Sequence, residues 1–395
     1  MIEKLGNLAQ VKGGKRLPKG QAFAEGKTEF PYIRVTNFHS RTVDKSDLKY
    51  ITKTTHDHIK RYVISQNDVY ISIAGTIGIV GKVPPDLDGA NLTENAAKIV
   101  INDTAVVNQD YLLWYLSTRG QRQIASKKKI AVQAKLALYR IEEIEVPLPA
   151  LEEQKRIVSI LDKADNLRRK RQQAIQLADE FLRAVFLDMF GDPVMNPKGW
   201  EKVAFATLLD AIESGASPKC ESRPAKKREW GVLKLGAVSY CVYRPGENKA
   251  MFEDSVPDVR HEVQQGDLLF TRKNTYELVA ASAIVEETPE RLLLPDLIFR
   301  FQTNSRVNKF YLWALLTHSG MRRSIQSLAS GAAGSMPNIS KANLRSVSLC
   351  LPPISEQEKF EIICRNIWDT KKKILEVMNI PLFESLSQKA FSGEL

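Results

Sequence analysis

Cysteine is scarce in this chain. The four present, Cys220, Cys241, Cys350 and Cys364, are scattered and show no Cys-x-x-Cys spacing. That pattern argues against a disulfide framework or a zinc ribbon and fits a reducing cytoplasm. Long apolar runs are missing too, so no helix is expected to span a membrane, which takes about 18 consecutive apolar residues. The opening residues, Met1-Ile2-Glu3-Lys4-Leu5-Gly6, lack the apolar centre of a secretion signal. The expectation is a cytoplasmic protein with no membrane attachment. Acidic residues are outnumbered, 46 against 57 Lys and Arg, leaving a net charge of +11. Such an excess favours a polyanionic partner, nucleic acid before a membrane surface. With 43% apolar residues over 395 positions, the chain can bury two cores of ordinary size.

Catalytic signatures are also absent. The stretch Leu351-Pro352-Pro353-Ile354 lacks both flanking residues of the Asn/Asp-Pro-Pro-aromatic motif of amino-methyltransferases. No Pro-Asp pair is followed at nuclease-like spacing by Asp/Glu-x-Lys. Gly20 and Gly26-Lys27-Thr28 resemble a phosphate loop, but one residue too many separates them for the backbone amides to converge. His56-Asp57-His58 sits in a polar segment, where alternating polar residues are ordinarily just solvated, and a metal there is disfavoured. The chain reads as non-catalytic, with no cofactor of its own.

What is present is duplication. Leu148-Pro149-Ala150-Leu151-Glu152-Glu153-Gln154 leads into a long charged run ending Met189-Phe190-Gly191-Asp192. Roughly 200 residues later the order returns: Leu351-Pro352-Pro353-Ile354-Ser355-Glu356-Gln357, a second run, then Ala390-Phe391-Ser392-Gly393-Glu394-Leu395. The upstream segments echo each other as well. Val232-Leu233-Lys234-Leu235 answers the strand-like Tyr32-Ile33-Arg34-Val35. Gly266-Asp267-Leu268-Leu269-Phe270 answers Asn67-Asp68-Val69-Tyr70-Ile71, and Phe310-Tyr311-Leu312-Trp313 answers Tyr111-Leu112-Leu113-Trp114. A further strand is expected at Ile77-Gly78-Ile79-Val80, and a helix from Asp110 through Gln123.

Between Glu152 and Phe190 there is neither glycine nor proline. Ile157, Ile160/Leu161, Ala164, Leu167, Ala174, Ala178, Phe181 and Val185 recur in steps of three and four, interrupted at Arg171. This stripe predicts a coiled-coil-like helix roughly 55–60 Å long. The second run carries Phe360, Ile363, Ile367, Ile374 and Val377 before Pro381, which is expected to kink or end it. The expected fold class is α+β: two similar, strand-rich mixed domains, pseudo-twofold related, separated by two long helices in an antiparallel coiled coil. The boundaries read 1–150, 151–191, 192–350 and 351–395.

In the order and duplication of its motifs the chain resembles the specificity (S) subunits of Type I restriction-modification systems. The carriers are the Pro-x-x-x-Glu-Gln start of each long helix, the strand starts at Asp68 and Asp267, the Gly75-Thr76-Ile77-Gly78 turn, and the closing Ala390 to Leu395. The second copy departs from the pattern with Leu278-Val279-Ala280-Ala281 in place of the turn, and with Pro381. The resemblance implies two target recognition domains, each reading half of a bipartite double-stranded DNA site. It implies helices that set the spacing and dock two modification (methyltransferase) subunits, with restriction subunits able to join. S-adenosylmethionine then belongs to the methyltransferase partner. Glu153, Gln154, Ile157, Leu161, Glu356, Gln357, Phe360 and Ile363 are the expected subunit-interface residues.

DNA contacts are expected from cations on phosphates and guanines, and from amides on adenines. In the first copy the candidates are Lys12, Lys15, Arg16, Arg34, Asn37, Gly75, Thr76, Lys127, Lys128 and Lys129. In the second they are Ser217, Lys219, Lys226, Lys227, Arg228, Lys234, Arg272, Lys273, Asn274, Tyr276, Gly331 and Ser335. Of these, Arg272-Lys273-Asn274 is the strongest candidate for base readout, and Lys127 to Lys129 for phosphate contact. Arg168-Arg169-Lys170-Arg171 reads as a solvated or DNA-backbone face. The competing reading is a duplicated protein-binding scaffold without base readout.

Overall fold

In the computed structural model, residues 1–127, 135–330, 336–379 and 382–395 are described. Lys128, Lys129, Gly331, Ser335 and Pro381 lie outside them. The chain divides into two compact units: Met1–Arg171 with Met378–Leu395, and Gln172–Val377. Both chain ends therefore contribute to one unit, and the division falls inside the long helix.

The two units repeat one topology. The first has an antiparallel sheet in the order Ala9–Gly13, Ala96–Ile101, Val69–Ser72, Val80–Lys82. A second sheet runs Lys49–Tyr50, Pro31–Ile33, Ala90–Leu92, Val63–Ile64, with Pro31–Ile33 parallel to Ala90–Leu92. In the other unit the antiparallel sheet runs Leu209–Ser214, Ile298–Thr303, Leu268–Thr271, Ser282–Ile284. Beside it lie Asn248–Ala250, Gly231–Leu233 and Leu292–Leu293, again with one parallel pair. Each unit is closed at its neck by two antiparallel strands, Ile2–Lys4 with Glu145–Pro147, and Glu201–Ala204 with Ser348–Leu351.

The duplicated aspartates have a structural duty. Asp68 accepts from Ser65 N at 2.9 Å and lies 3.7 Å from the partly buried Lys98 ammonium. Asp267 accepts from Gln264 N at 2.9 Å and pairs with the buried Arg300 guanidinium at 3.1 Å. Each thus forms the turn before a strand and neutralises a cation inside the sheet, where an unpaired charge would be costly.

The glycine turn and its divergent second copy turn out to be equivalent. Ser72 Oγ donates to Thr76 O and accepts from Ile79 N. Thr271 Oγ1 donates to Leu278 O and accepts from Ala281 N. Gly78 (φ 94°) and Ala280 (φ 61°) both take the left-handed backbone that closes the latch. At Gly78 a Cβ would sit 3.0 Å from Ile124 Cγ2, so a side chain there would push on Ile124 as well as take a left-handed backbone.

Several expected elements end early. The Tyr32 strand stops at Ile33, and a 3-10 turn, Val35–Asn37, follows. From Ile77 to Val80 only Val80 joins a strand. The helix expected from Asp110 is two helices, Gln109–Ser117 and Gly120–Ser126. Thr118 breaks it by bonding back to Trp114 O through Oγ1. The asparagine caps Asn108 and Asn308 also fix the register between copies. Tyr111 matches Tyr311, so Trp114 matches Ala314; the match drawn from sequence was one residue out.

The long helix is continuous over Leu151–Phe190, 40 residues, and a second spans Ile354–Asn379. Their burial differs from a uniform coiled-coil seam. In the first unit Gln154, Ile157, Leu161 and Asp165 are buried, and in the second Leu182, Phe186 and Phe190. Leu167 and Phe181, expected in the seam, are 43% and 52% exposed, because the helix buries the faces that meet each domain. Within the first unit the helix runs antiparallel to Leu382–Ser392: Arg156 donates to Leu395 O, and Arg168 stacks on Phe383. Within the second it runs antiparallel to Ile354–Asn379: Asp179 pairs with Lys371, and Phe186 meets Phe360. Among the described residues no helix is long and apolar enough to cross a membrane.

Candidate nucleic-acid interface

In the first unit the loop after strand Ala9–Gly13 and the end of strand Pro31–Ile33 converge on one cleft of about 370 Å³. Its walls include Arg16, Phe23, Tyr32, Arg34 and Glu94. Arg16 Nε donates to Glu94 Oε1 at 2.7 Å, and the guanidinium stands in solvent. Burial works against the Glu94 carboxylate, but the Arg16 and backbone hydrogen bonds prevail and hold its pKa below the ordinary value. Arg34 Nη2 donates to Asp47 Oδ2 at 2.7 Å. Lys49 first, then Arg34, hold the Asp47 carboxyl down to about 2. Tyr32 is buried, donates to Lys15 O, and has its pKa pushed up to about 12 by that burial.

The second unit places Ser217 and Lys234 at the same two positions. Ser217 follows strand Leu209–Ser214 as Arg16 follows its strand, and its hydroxyl donates to Asp296. Lys234 follows Gly231–Leu233 and pairs with Glu247 at 2.7 Å. Lys12, Lys15, Lys219, Lys226, Lys227 and Arg228 are exposed. Gly75 and Thr76 stand exposed at their turn. Lys127 is partly buried and pairs with Glu143 at 3.5 Å.

Other candidates lie inside the domains. Asn37 is buried; its Oδ1 accepts from Arg34 N, and its amide donates to the carbonyls of Asp44 and Asp47. It shapes the turn that presents Arg34. Asn274 is also buried, donating to Ser239 Oγ and accepting from Thr275 N. Arg272 leans over Phe299 and donates through Nε to Asn338. Lys273 is half-buried, and Tyr276 points outward at 61% exposure, between the exposed Thr275 and Glu277. Asn274→Ala is therefore expected to cost about 1–3 kcal/mol of stability, because the Thr275 amide loses its acceptor and Ser239 Oγ loses a donor. In urea unfolding the midpoint falls; an unchanged midpoint with altered base preference would make Asn274 a reader.

The expected interface residues are likewise partly internal. Gln154, Ile157, Leu161, Gln357 and Phe360 are buried within their own units, while Ile363 is partly buried. Glu153 and Glu356 pair with Arg156 and Lys359 on the helix surface.

Sequence reasoning missed Asp165. This buried carboxylate accepts from Arg41, Arg168 and Arg169 and so ties the loop at Arg41 to the long helix. Arg41 has a left-handed backbone (φ 64°) and stacks 3.7 Å over the Trp114 ring, whose Nε1 donates to Asp162. Two of the basic run's residues thus serve the fold. In the second unit Ala314 replaces the indole, and a cleft of about 600 Å³ lined by Cys241, Trp313 and Arg322 lies there. His56 is likewise structural: Nδ1 hydrogen-bonds Asn91, and the ring stacks on Phe30. Among the described residues no three His, Cys, Asp or Glu side chains gather as a metal site.

Residues 1–177 match the family described as the Type I restriction modification DNA specificity domain. The chain is 35% identical to the Type I restriction enzyme EcoEI specificity subunit of Escherichia coli over 42% of its length, a match spanning 28% of that relative. It is 25% identical to the EcoKI specificity subunit of Escherichia coli (strain K12), over 97% of this chain and 86% of that one. Its fold is similar to the crystal structure of the Type-I restriction-modification S subunit from M. genitalium, with a TM-score of 0.60 at 13% identity. That alignment covers 99% of this chain and 96% of the other. Duplicated topology, duplicated motifs and these likenesses agree: residues 1–177 carry a Type I restriction modification DNA specificity domain, and the chain is similar along nearly its whole length to a Type I specificity subunit.

Proposed function

We propose that this chain reads a bipartite double-stranded DNA sequence, one half-site to each recognition domain. The carrying observation is the repetition of one presented position in both units: Arg16 with Ser217, and Arg34 with Lys234, each at the end of the corresponding strand. Two non-identical side-chain sets on one scaffold suit two different half-sites. The helix Leu151–Phe190 joins the two units covalently and acts as the spacer between half-sites. Outward apolar residues on the long helices, Leu177, Phe181 and Ile362 among them, supply a surface for the methyltransferase subunits, two per chain because the motifs are duplicated. Such a core is able to take restriction subunits as well. The chain itself is non-catalytic, and S-adenosylmethionine is held by the methyltransferase partner. The complex works in the cytoplasm, on the cell's own DNA.

Base-resolved methylation mapping, in cells carrying this chain with its methyltransferase partner, tests the reading. The expected result is one methylated motif in two specified halves around an unspecified gap. A continuous motif, or methylation independent of this chain, contradicts it.

A further inference from the structure

The four presented side chains share a feature that their sequence positions do not reveal. Each is held by an acidic residue just ahead of the neighbouring strand. Glu94 precedes Ala96–Ile101 and holds Arg16; Asp296 precedes Ile298–Thr303 and holds Ser217. Asp47 precedes Lys49–Tyr50 and holds Arg34; Glu247 precedes Asn248–Ala250 and holds Lys234. The pairing recurs at both positions in both units, although the residue types differ. A chance surface contact would not be expected to recur as an ion pair at three of these positions and as a hydroxyl-to-carboxylate hydrogen bond at Ser217.

Geometry gives the Arg16 pair a use; at Arg34 it is Nη2 that donates to Asp47, so there the carboxylate sets the direction of the guanidinium while taking part of its fork. Glu94 engages Arg16 through Nε, which leaves the guanidinium's outer Nη edge without a recorded partner among the described residues. That edge is the one that can meet guanine O6 and N7 with two hydrogen bonds. The carboxylate fixes the plane of the fork, so less side-chain entropy remains to be lost on contact. It also places a negative charge beside the cation, which repels a phosphate that arrives out of register. A cation free of its carboxylate would instead serve any phosphate within reach, and non-specific binding is built from such contacts.

Building on the proposed DNA reading, we infer that Glu94, Asp47, Asp296 and Glu247 are specificity-determining residues. They position the reading side chains and suppress binding to the wrong sequence. Removing one raises affinity for non-cognate DNA while cognate affinity stays level or falls. The ratio of the two affinities is the quantity these residues control.

The test uses the full chain assembled with its methyltransferase subunits. Duplexes carrying the mapped site, and scrambled duplexes, are titrated at several salt concentrations. For Glu94→Gln the cognate-to-scrambled affinity ratio is expected to fall about two- to fivefold, the range an exposed pair allows. The salt slope on scrambled DNA steepens by about 0.9 for the one cation released. Asp47→Asn acts in the same direction, and Glu247→Gln does so in the other half-site. Glu253→Gln, an exposed carboxylate with no ion pair recorded among the described residues, controls for net charge and leaves the ratio unchanged. If the Glu94 and Asp47 variants keep the wild-type ratio, or lose it no more than the Glu253 variant does, the inference is overturned. If the wild-type complex itself fails to distinguish the two duplexes, the DNA reading fails instead.

Discussion

Replacing Gln154 by alanine lowers the unfolding free energy of the chain by about 3–5 kcal/mol, one of the largest single-site effects expected here. The side chain is wholly buried at the start of the long helix. Its Oε1 accepts from Asn108 N at 2.9 Å, and its Nε2 donates to Val106 O and Pro149 O at 2.9 and 3.0 Å. Truncation leaves those three backbone groups unsatisfied and a cavity beside them. Gln357 makes the same three bonds, to Asn308 N, Arg306 O and Pro352 O, so Gln357→Ala has the same expected cost. The duplicated Glu-Gln signature thereby acquires a physical meaning: the glutamine bolts each long helix to the cap of a domain helix. Urea denaturation of both variants checks this. Wild-type midpoints combined with failure to assemble would return the two glutamines to a partner interface.

The second large effect concerns length. Four residues of helix, added between Arg171 and Gln172 and again between Val377 and Met378, lengthen the spacer by about 6 Å. These are the two places where the chain passes from one unit to the other, so every contact within each unit is kept. Four residues exceed one turn only slightly, and the helix faces nearly retain their direction. Methylation mapping is expected to return both original half-sites with one or two additional base pairs between them, at about 3.4 Å each. Two-residue insertions turn the helix by more than half a turn and are expected to abolish modification. An active four-residue variant with an unchanged gap would mean that the helices do not measure DNA.

How much was legible in the sequence depended on whether the signal was local. Duplication, the uninterrupted helix and the strand starts at Asp68 and Asp267 are carried by neighbouring residues, and the fold follows them. Where side chains find partners far along the chain, the sequence is silent. Glu94 and Arg16 are 78 positions apart, and Asp165 meets Arg41 across 124. Asn37 and Asn274 have the chemistry of adenine readers, yet both are consumed by turns. An amide that caps a loop and one that reads a base look identical before burial is known. Helical periodicity misled in one respect as well. It assumed that the long helix pairs with a single partner along its whole length, so Phe181 was placed inward, whereas the helix buries Leu182, Phe186 and Phe190 against the second domain.

The central claim is that each domain independently specifies half of the site, and one exchange tests it. Residues 199–350 lie within the second unit, and the segment's ends are already joined by the antiparallel strands Glu201–Ala204 and Ser348–Leu351. The corresponding segment of a Type I specificity subunit can therefore be grafted at a closed neck. Base-resolved methylation mapping of the hybrid, assembled with the same methyltransferase, should show one half-site replaced and the other unchanged. A hybrid that assembles and methylates with both halves altered, or with neither altered, would contradict the account.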